Sequence, residues 1–267
     1  MPIQNNDFKK KILQRILKSK KYKYIHPPTI ERILDSLSTK YEKKTLEKEA
    51  KRKLHQIWGA YFSRPNFSKL LSKIKSEYQS GKSREVILRE LLMLQTSTKE
   101  RLPIFEEYYE QIFNITDIPE SITEYGCGIN ALSYRWINHD ISYTGFDVDS
   151  ELIHFINSIF KLFDQNESAK AKLGDVFLFE EFRPADVCLL LKVLVLFDRQ
   201  KNDSSLDIMK AIPAKFLVVS FPTKSLGGVD KGMEENYRKM FYGLISGLPW
   251  NVSEVIFENE LVFVVEK

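Results

Sequence analysis

Two glycines and two acids in the second half of the chain have the types and the spacing that suit nucleotide binding. Gly126 and Gly128 directly follow a short apolar run. Asp147 ends the next such run, and Asp175 follows a third. Because glycine has no Cβ, a Gly-x-Gly turn lets the backbone bend sharply and approach a ligand closely. The two carboxylates can accept hydrogen bonds from ribose hydroxyls and from the exocyclic amine of adenine. The spacing therefore predicts a nucleotide site.

Each part of this pattern also has a simpler interpretation. A Gly-x-Gly turn is often only a turn, and Ala131 stands where a dinucleotide fingerprint has its third glycine, which disfavours NAD. Asp149 is better suited to cap the helix predicted from Glu151 than to bind a ligand. A glycine turn followed by acids after the next two strands is nevertheless the order typical of S-adenosylmethionine-dependent methyltransferases. The combination favours that class.

Seven short apolar runs predict the strands that must position these residues. Helical stretches fall between most of the runs, notably at residues 151–163 and 234–244, which indicates βαβ units and a mostly parallel sheet. Only Glu258 and Asn259 separate the last two runs, which predicts a C-terminal antiparallel hairpin. The predicted fold is α/β, a Rossmann-like class I methyltransferase sheet preceded by an all-α domain. The runs are residues 122–125, 143–146, 169–173, 187–191, 216–221, 252–257 and 261–265.

The first half of the chain has helical periodicity instead. Asp7 is predicted to cap the first helix, and Pro28 to stand in the first turn of the second. No alternating run rich in Val, Ile and Thr occurs before residue 115. Further helical stretches are predicted at residues 42–62, 66–78 and 83–94.

The net charge of +4 conceals an asymmetry between the two halves. Residues 1–101 contain 25 Lys/Arg and 10 Asp/Glu, whereas residues 102–267 contain 15 and 26. Solvated lysines on ordinary helices are the simpler explanation, but an excess of this size favours a polyanionic partner. Nucleic acid is the first candidate, because neutralising phosphates releases counterions. We predict a basic helical RNA-binding domain at residues 1–95 and a methyltransferase domain at residues 96–267.

Composition excludes several other classes of protein. No apolar run approaches the roughly 18 residues of a membrane span, and the Lys-rich start has no signal-peptide core. Cys127 and Cys188 are the only cysteines, too few for a disulfide scaffold or a cysteine-built zinc site. The four histidines show no metal-ligand spacing. We expect a cytoplasmic protein without a metal or a membrane contact, acting as a monomer.

Several longer motifs narrow the prediction to one family. The chain resembles the aminoglycoside-resistance 16S ribosomal RNA methyltransferases that modify guanine N7 in the decoding site. The likeness extends from about residue 85 to the end and is looser in the first 80 residues. The most specific blocks are Ser-Leu-Gly-Gly at residues 225–228 and Lys-Gly-Met-Glu-Glu-Asn-Tyr at residues 231–237. The others are residues 96–102, 125–130, 189–192 and 220–224.

This resemblance implies roles for individual residues. Arg101 would pair with the carboxylate of the cofactor's methionine, and Asp147 would hold its ribose. Lys192 and Lys224 would position the target base, with no general base required. Val195 departs from the family, which usually has proline there, and puts the geometry of that wall in doubt. The other implied cofactor contacts are Gly126, Cys127, Gly128, Asp175, Val176 and Leu191, and the implied RNA contacts are Lys224, Ser225, Lys231 and Glu234.

The implied reaction fits the absence of an obvious acid–base pair in the sequence. Guanine N7 carries a lone pair and no proton, so its attack on a sulfonium methyl needs alignment and not a base. The implied substrate is 16S rRNA within the small ribosomal subunit, and the implied phenotype is aminoglycoside resistance. Three alternatives remain open, namely adenine N1 methylation in the same region, a non-catalytic RNA-binding protein and a small-molecule methyltransferase. The basic half argues against the last.

Overall fold

A seven-stranded sheet forms the centre of the computed structural model, which describes residues 3–59, 64–137, 140–165, 167–223 and 232–267. The strand order is β3-β2-β1-β4-β5-β7-β6. The first five strands are parallel, and β7 pairs antiparallel with both β5 and β6. The strands are β1 (Ser121–Tyr125), β2 (Ser142–Asp147), β3 (Ala169–Leu173), β4 (Ala185–Leu191), β5 (Ala214–Pro222), β6 (Asn251–Phe257) and β7 (Glu260–Glu266).

The sheet is covered on both faces, which explains why its central strands are apolar throughout. Successive side chains of a strand point to opposite faces, and β4 divides between two cores accordingly. Leu189 and Leu191 lie in one core, whereas Cys188 and Leu190 lie in the other. The helices on the two faces are α4 (Phe67–Gln79), α5 (Arg84–Leu92), α7 (Phe105–Thr116) and α8 (Ser150–Leu162) on the first, and α9 (Leu194–Gln200), α10 (Ser204–Ala211) and α11 (Met233–Leu244) on the second.

A third core belongs to the first three helices and the π-helical turn that follows them. It contains Ile12, Ile33 and Leu46, one from each helix. We call residues 3–59 the basic module; it has 16 Lys/Arg and 6 Asp/Glu. The helices are α1 (Ile3–Leu17), α2 (Pro27–Ser38) and α3 (Lys43–Leu54).

The basic module is joined to the sheet at the loop that follows β2. The amide of His26 donates to the carbonyl of Val148 at 2.8 Å, and the amide of Ser150 donates to the carbonyl of Tyr24 at 2.9 Å. Arg64, which follows the module and packs its guanidinium on the ring of Tyr24, donates hydrogen bonds to Asp149, which is fully buried. The module is therefore fixed to the segment that directly follows Asp147.

Most of the predicted elements are confirmed, with one correction. All seven strands form within two residues of the predicted bounds, and the final hairpin turns at Glu258. The prediction that Asp7 caps the first helix is wrong, because helical backbone already begins at Ile3. The stretch after the glycine turn is 3-10 helix from Gly128 to Trp136. Among the residues described, no helix is both long and apolar enough to cross a membrane.

The predicted domain boundary at residue 95 marks a change in sequence pattern, but it does not separate two hydrophobic cores. Phe67 and Ile74 of α4 and Leu88 of α5 lie in the same core as the sheet. The separate core of the basic module therefore ends near Trp58. Packing thus favours a domain boundary between residues 58 and 67. The domain bounds stay a prediction.

Candidate functional site

A cavity of about 460 Å³ opens at the carboxyl ends of β1, β2 and β4. This is where ligands bind in open parallel sheets, and the volume lies within the range of roughly 300–1,000 Å³ of small-molecule sites. Much of its lining is apolar, including Phe146, Phe197 and Tyr237. Seven residues predicted from the sequence line it, namely Gly126, Gly128, Asp147, Asp175, Val176, Leu191 and Lys192.

The conformation of the glycine turn favours residues without a side chain. Gly126 has φ +72°, and a Cβ there would lie 2.9 Å from Cγ1 of Val193. Gly128 has φ +52°, and a Cβ there would lie 2.6 Å from Oε1 of Gln95. Both φ values belong to the left-handed region that disfavours other residues. The turn therefore brings bare backbone to the cavity wall.

Asp147 connects the end of β2 to this turn. Its Oδ2 accepts from the amide of Gly128 at 3.0 Å, and its Oδ1 accepts from the amide of Asp149 at 3.1 Å. Burial, together with the charge of Asp149, raises the pKa of Asp147 to about 6. A carboxylate has about four lone-pair sites, so further donors can still be accepted. Asp147 is thus placed as a hydrogen-bond acceptor at the wall.

Asp175 occupies the corresponding place after β3 and is 4% exposed. Its Oδ1 accepts from the amide of Phe177 at 3.0 Å. Its Oδ2 accepts from Nε and Nη2 of Arg32 at 3.0 and 2.9 Å. Arg32 belongs to α2 of the basic module, 143 residues away in sequence, and no local motif indicates this pairing.

A buried network of polar side chains lies beside α6 (Thr96–Arg101), and Arg101 is its centre. Arg101 donates from Nε and Nη2 to the two carboxylate oxygens of Glu260 at 3.2 and 2.6 Å. Its Nη1 donates to Oδ1 of Asn130 at 2.7 Å. Arg101 is 2% exposed and does not line the cavity. We call this set the buried network: Arg101, Tyr108, Glu124, Asn130, Tyr143, Lys192 and Glu260.

Glu260 holds two cations at once. Nζ of Lys192 lies 3.3 Å from its Oε2 and 2.9 Å from Oε2 of Glu100. Burial raises the pKa of Glu260, but the charges of Arg101 and Lys192 outweigh burial and leave the pKa below its usual range. Lys192 itself has φ +59°, which is strained for a residue with a side chain. Glu260 lies 159 residues from Arg101 in sequence, and sequence reasoning missed it.

Glu124 is the second acid of the buried network. It accepts from Nδ2 of Asn130 at 3.0 Å and from the hydroxyl of Tyr143 at 2.6 Å. Burial raises the pKa of Glu124 to about 7, although these partners oppose the shift. Cys127, which the resemblance implies as a cofactor contact, is buried nearby with a raised thiol pKa and does not line the cavity.

The predicted RNA contacts are placed only in part. Lys224, Ser225 and Lys231 lie outside the described residues. Glu234 stands in the first turn of α11 and bonds Arg238 at 2.8 Å. Val195 is the second residue of α9 and lines the cavity, so the wall forms with valine in the place of the family's proline.

Comparison with known proteins gives one consistent result. The family model of ribosomal RNA methyltransferase (FmrO) matches residues 18–264. A 16S rRNA (guanine(1405)-N(7))-methyltransferase of Proteus mirabilis is 32% identical, covering 98% of this chain and 99% of that protein. A protein of the same name from Micromonospora rosea is 31% identical and is covered to 95%, as is this chain.

Solved structures agree with the sequence relatives. The 16S rRNA methyltransferase RmtF in complex with S-adenosyl-L-homocysteine has a TM-score of 0.83 at 26% identity, covering 97% of this chain and 98% of that one. The 16S rRNA methylase RmtB has a TM-score of 0.77 at 26% identity, with both chains fully covered. The likeness to these structures extends over nearly the whole chain, which contains a class I methyltransferase sheet and belongs to the FmrO family of ribosomal RNA methyltransferases.

Proposed function

We infer that this protein transfers a methyl group from S-adenosylmethionine to N7 of a guanine in 16S rRNA. The observation that carries this inference is its identity of 31–32%, over 95–98% of the chain, to relatives named 16S rRNA (guanine(1405)-N(7))-methyltransferase. The acids and the glycine turn stand at the wall of one cavity, as such an enzyme requires.

The cavity residues fit this cofactor. The glycine turn provides a cradle that a Cβ at Gly126 or Gly128 would fill, and Asp147 and Asp175 provide acceptors for hydroxyl and amine donors. When bound, S-adenosylmethionine supplies an electrophilic methyl on sulfur. Val176 and Phe197 provide apolar surface against which an adenine ring can pack. The RmtF structure contains the demethylated form of the same cofactor.

The chain's own contribution to the reaction is alignment and exclusion of water. Guanine N7 presents a lone pair, so no side chain has to remove a proton before methyl transfer. This agrees with the raised pKa of the buried Cys127 thiol, which disfavours a thiolate. It also agrees with Glu124, whose carboxylate already accepts hydrogen bonds from Asn130 and Tyr143. Lys192 at the cavity wall is the described residue best placed to orient the target base, and we assign Lys224 the same task. Arg101 can bind a cofactor carboxylate only if it divides its hydrogen bonds between that carboxylate and Glu260, or releases Glu260.

The basic module is assigned the docking of ribosomal RNA. Its exposed lysines carry positive charge at the surface, and each contact with a phosphate releases a counterion. We propose that the substrate is the small ribosomal subunit, encountered by a monomer in the cytoplasm, and that methylation in the decoding site confers aminoglycoside resistance. The exposed lysines of α1 and of the stretch between α1 and α2 are Lys10, Lys11, Lys18, Lys20, Lys21 and Lys23.

Chemical mapping of the methylated base tests the proposed function. Intact small subunits are incubated with protein and S-adenosylmethionine, and the 16S RNA is then reduced with borohydride, cleaved with aniline and mapped by primer extension. We expect cleavage at one guanine of the decoding site, because aniline cuts where N7 carries a methyl group. Methyl incorporation without cleavage would point to adenine N1 and contradict the assignment. No incorporation, with the cofactor still bound, would exclude this particle as substrate.

A further inference from the structure

One wall of the cofactor cavity is supplied by the basic module and not by the methyltransferase sheet. Thr29 of α2 and Ile57 and Trp58 of the π-helical turn line the cavity alongside the strand ends. The module is also tied to the loop after β2 through the backbone of Tyr24 and His26. A segment that carries an excess of positive charge is thus part of the cofactor site.

Arg32 is the side chain that crosses from this module to a cofactor residue. Its Nε and Nη2 both donate to Oδ2 of Asp175, and Nη2 also donates to Oε1 of Gln200 at 2.6 Å. Its guanidinium lies 4.4 Å from the centre of the Phe177 ring. With 18% of its side chain exposed, Arg32 is held by an acid, an amide and an aromatic face. It does not itself line the cavity, so it acts behind Asp175.

A buried carboxylate such as Asp175 costs free energy unless a partner compensates its charge. Without Arg32, the described residues would stabilise that carboxylate only through the amide of Phe177, and turning towards water would be favoured. With Arg32, Oδ2 is fixed and Oδ1 keeps one free acceptor position. An acceptor held in one orientation binds a donor without a further ordering cost.

We propose that Arg32 is a positioning residue of the cofactor site, which orients Asp175 and thereby makes cofactor affinity depend on the placement of the basic module. This proposal rests on the proposed function, since it concerns the site for S-adenosylmethionine. Its consequence is reciprocal. Whatever stabilises the module against α9, RNA docking included, strengthens cofactor binding, and a bound cofactor strengthens RNA docking by the same factor.

Calorimetric titration with S-adenosylhomocysteine tests the role of Arg32. We expect Arg32→Ala to weaken affinity about tenfold, because hydrogen bonds to charged groups are among the stronger ones. Arg32→Lys keeps the positive charge but not the paired donors of the guanidinium, and should recover part of the lost affinity. The matched control is Arg15→Ala, which removes an arginine of the same module that pairs with Glu47 at 3.2 Å and is 56% exposed. Its affinity should equal that of the unaltered protein.

Two further readouts separate positioning from general loss of structure. In an Asp175→Ala background, Arg32→Ala should have no additional effect on affinity, because it acts through that carboxylate. In methyl transfer to small subunits, Arg32→Ala should raise KM for the cofactor while kcat at saturating cofactor changes less than twofold. Additive losses in the double variant, or a fall in kcat with unchanged KM, would overturn the proposal.

Reciprocity is tested by measuring affinity for small subunits with and without S-adenosylhomocysteine. The unaltered protein and Arg15→Ala should bind several-fold more tightly with it, and Arg32→Ala should lose that gain. Equal gains in Arg32→Ala would refute the coupling. Failure of the unaltered protein to bind the nucleoside at all would refute the proposed function instead, whereas normal binding by both proteins refutes only the role of Arg32.

Discussion

The acidic wall of the cavity and the buried network beside it satisfy their charges in different ways. Asp147 and Asp175 accept from backbone amides and, in one case, from Arg32, and both line the cavity with acceptor positions left over. Arg101 of the buried network is instead surrounded by Glu260, Asn130 and the ring of Tyr108. The acidic wall is prepared for a ligand, whereas Arg101 is neutralised within the protein.

The pKa shifts of one acid from each region, Asp147 and Glu260, follow this contrast. The pKa of Asp147 is raised to about 6, mainly by burial, so its ionised form is not well compensated by the protein. The pKa of Glu260 is lowered despite burial, because Arg101 and Lys192 stabilise its charge. A charge that is poorly satisfied in the protein alone is typical of binding sites. The lowered pKa of Glu260 means that the protein compensates this charge without a ligand.

The largest effect is expected from breaking the buried network. Glu260→Ala leaves the cations of Arg101 and Lys192 near each other without their shared acid, and Arg101 is buried. Removing one partner of a buried ion pair costs about 3–5 kcal/mol, so the free energy of unfolding should fall by that amount. Urea denaturation at pH 7.5 measures it.

Glu266→Ala is the matched control for this change. Glu266 ends the same strand, and its ion pair with Lys215 at 3.7 Å is largely exposed. Exposed pairs contribute at most about 1 kcal/mol. A loss in Glu260→Ala no larger than in Glu266→Ala would show that the buried network does not stabilise the fold.

These two regions also differ in how far the sequence reveals them. Asp147 and Asp175 were predicted because each directly follows an apolar run, and parallel strands bring such positions to one edge of the sheet. Glu260 and Arg32 were missed because their partners lie 159 and 143 residues away, and pairing at that distance leaves no local pattern. Arg101, for which the resemblance implies a cofactor carboxylate as partner, pairs with Glu260 in the structure.

The strands were predictable for a related physical reason. A parallel strand covered on both faces must be apolar throughout, so β4 is visible in the sequence without knowledge of its neighbours. The start of α1 could not be predicted in this way, because several polar residues near Asp7 can cap a helix and only packing selects among them. The core shared by α4 and the sheet likewise depends on contacts between distant segments.

A smaller and different effect is expected from the acidic wall. Asp147→Ala removes an acceptor with a raised pKa, so the fold should lose little, whereas affinity for S-adenosylhomocysteine should fall about 100-fold. Calorimetry measures the affinity, and thermal unfolding checks the fold. Asp207→Ala, which removes an exposed acid of α10, is the control and should leave both unchanged. Unchanged affinity in Asp147→Ala would remove that residue from the site.

The smallest effect concerns Glu124, which belongs to the buried network yet has a pKa raised to about 7 by burial. In the unfolded chain this carboxyl ionises near its ordinary value of 4.5, so the folded state holds the extra proton between pH 4.5 and 7. Stability due to Glu124 is therefore present at low pH and is lost as pH rises through that window. The unfolding free energy of the unaltered protein minus that of Glu124→Gln should fall by about 2 kcal/mol from pH 5 to 7. Asp147 titrates in both proteins and cancels from the difference, and a difference independent of pH would mean that Glu124 is as well compensated as Glu260.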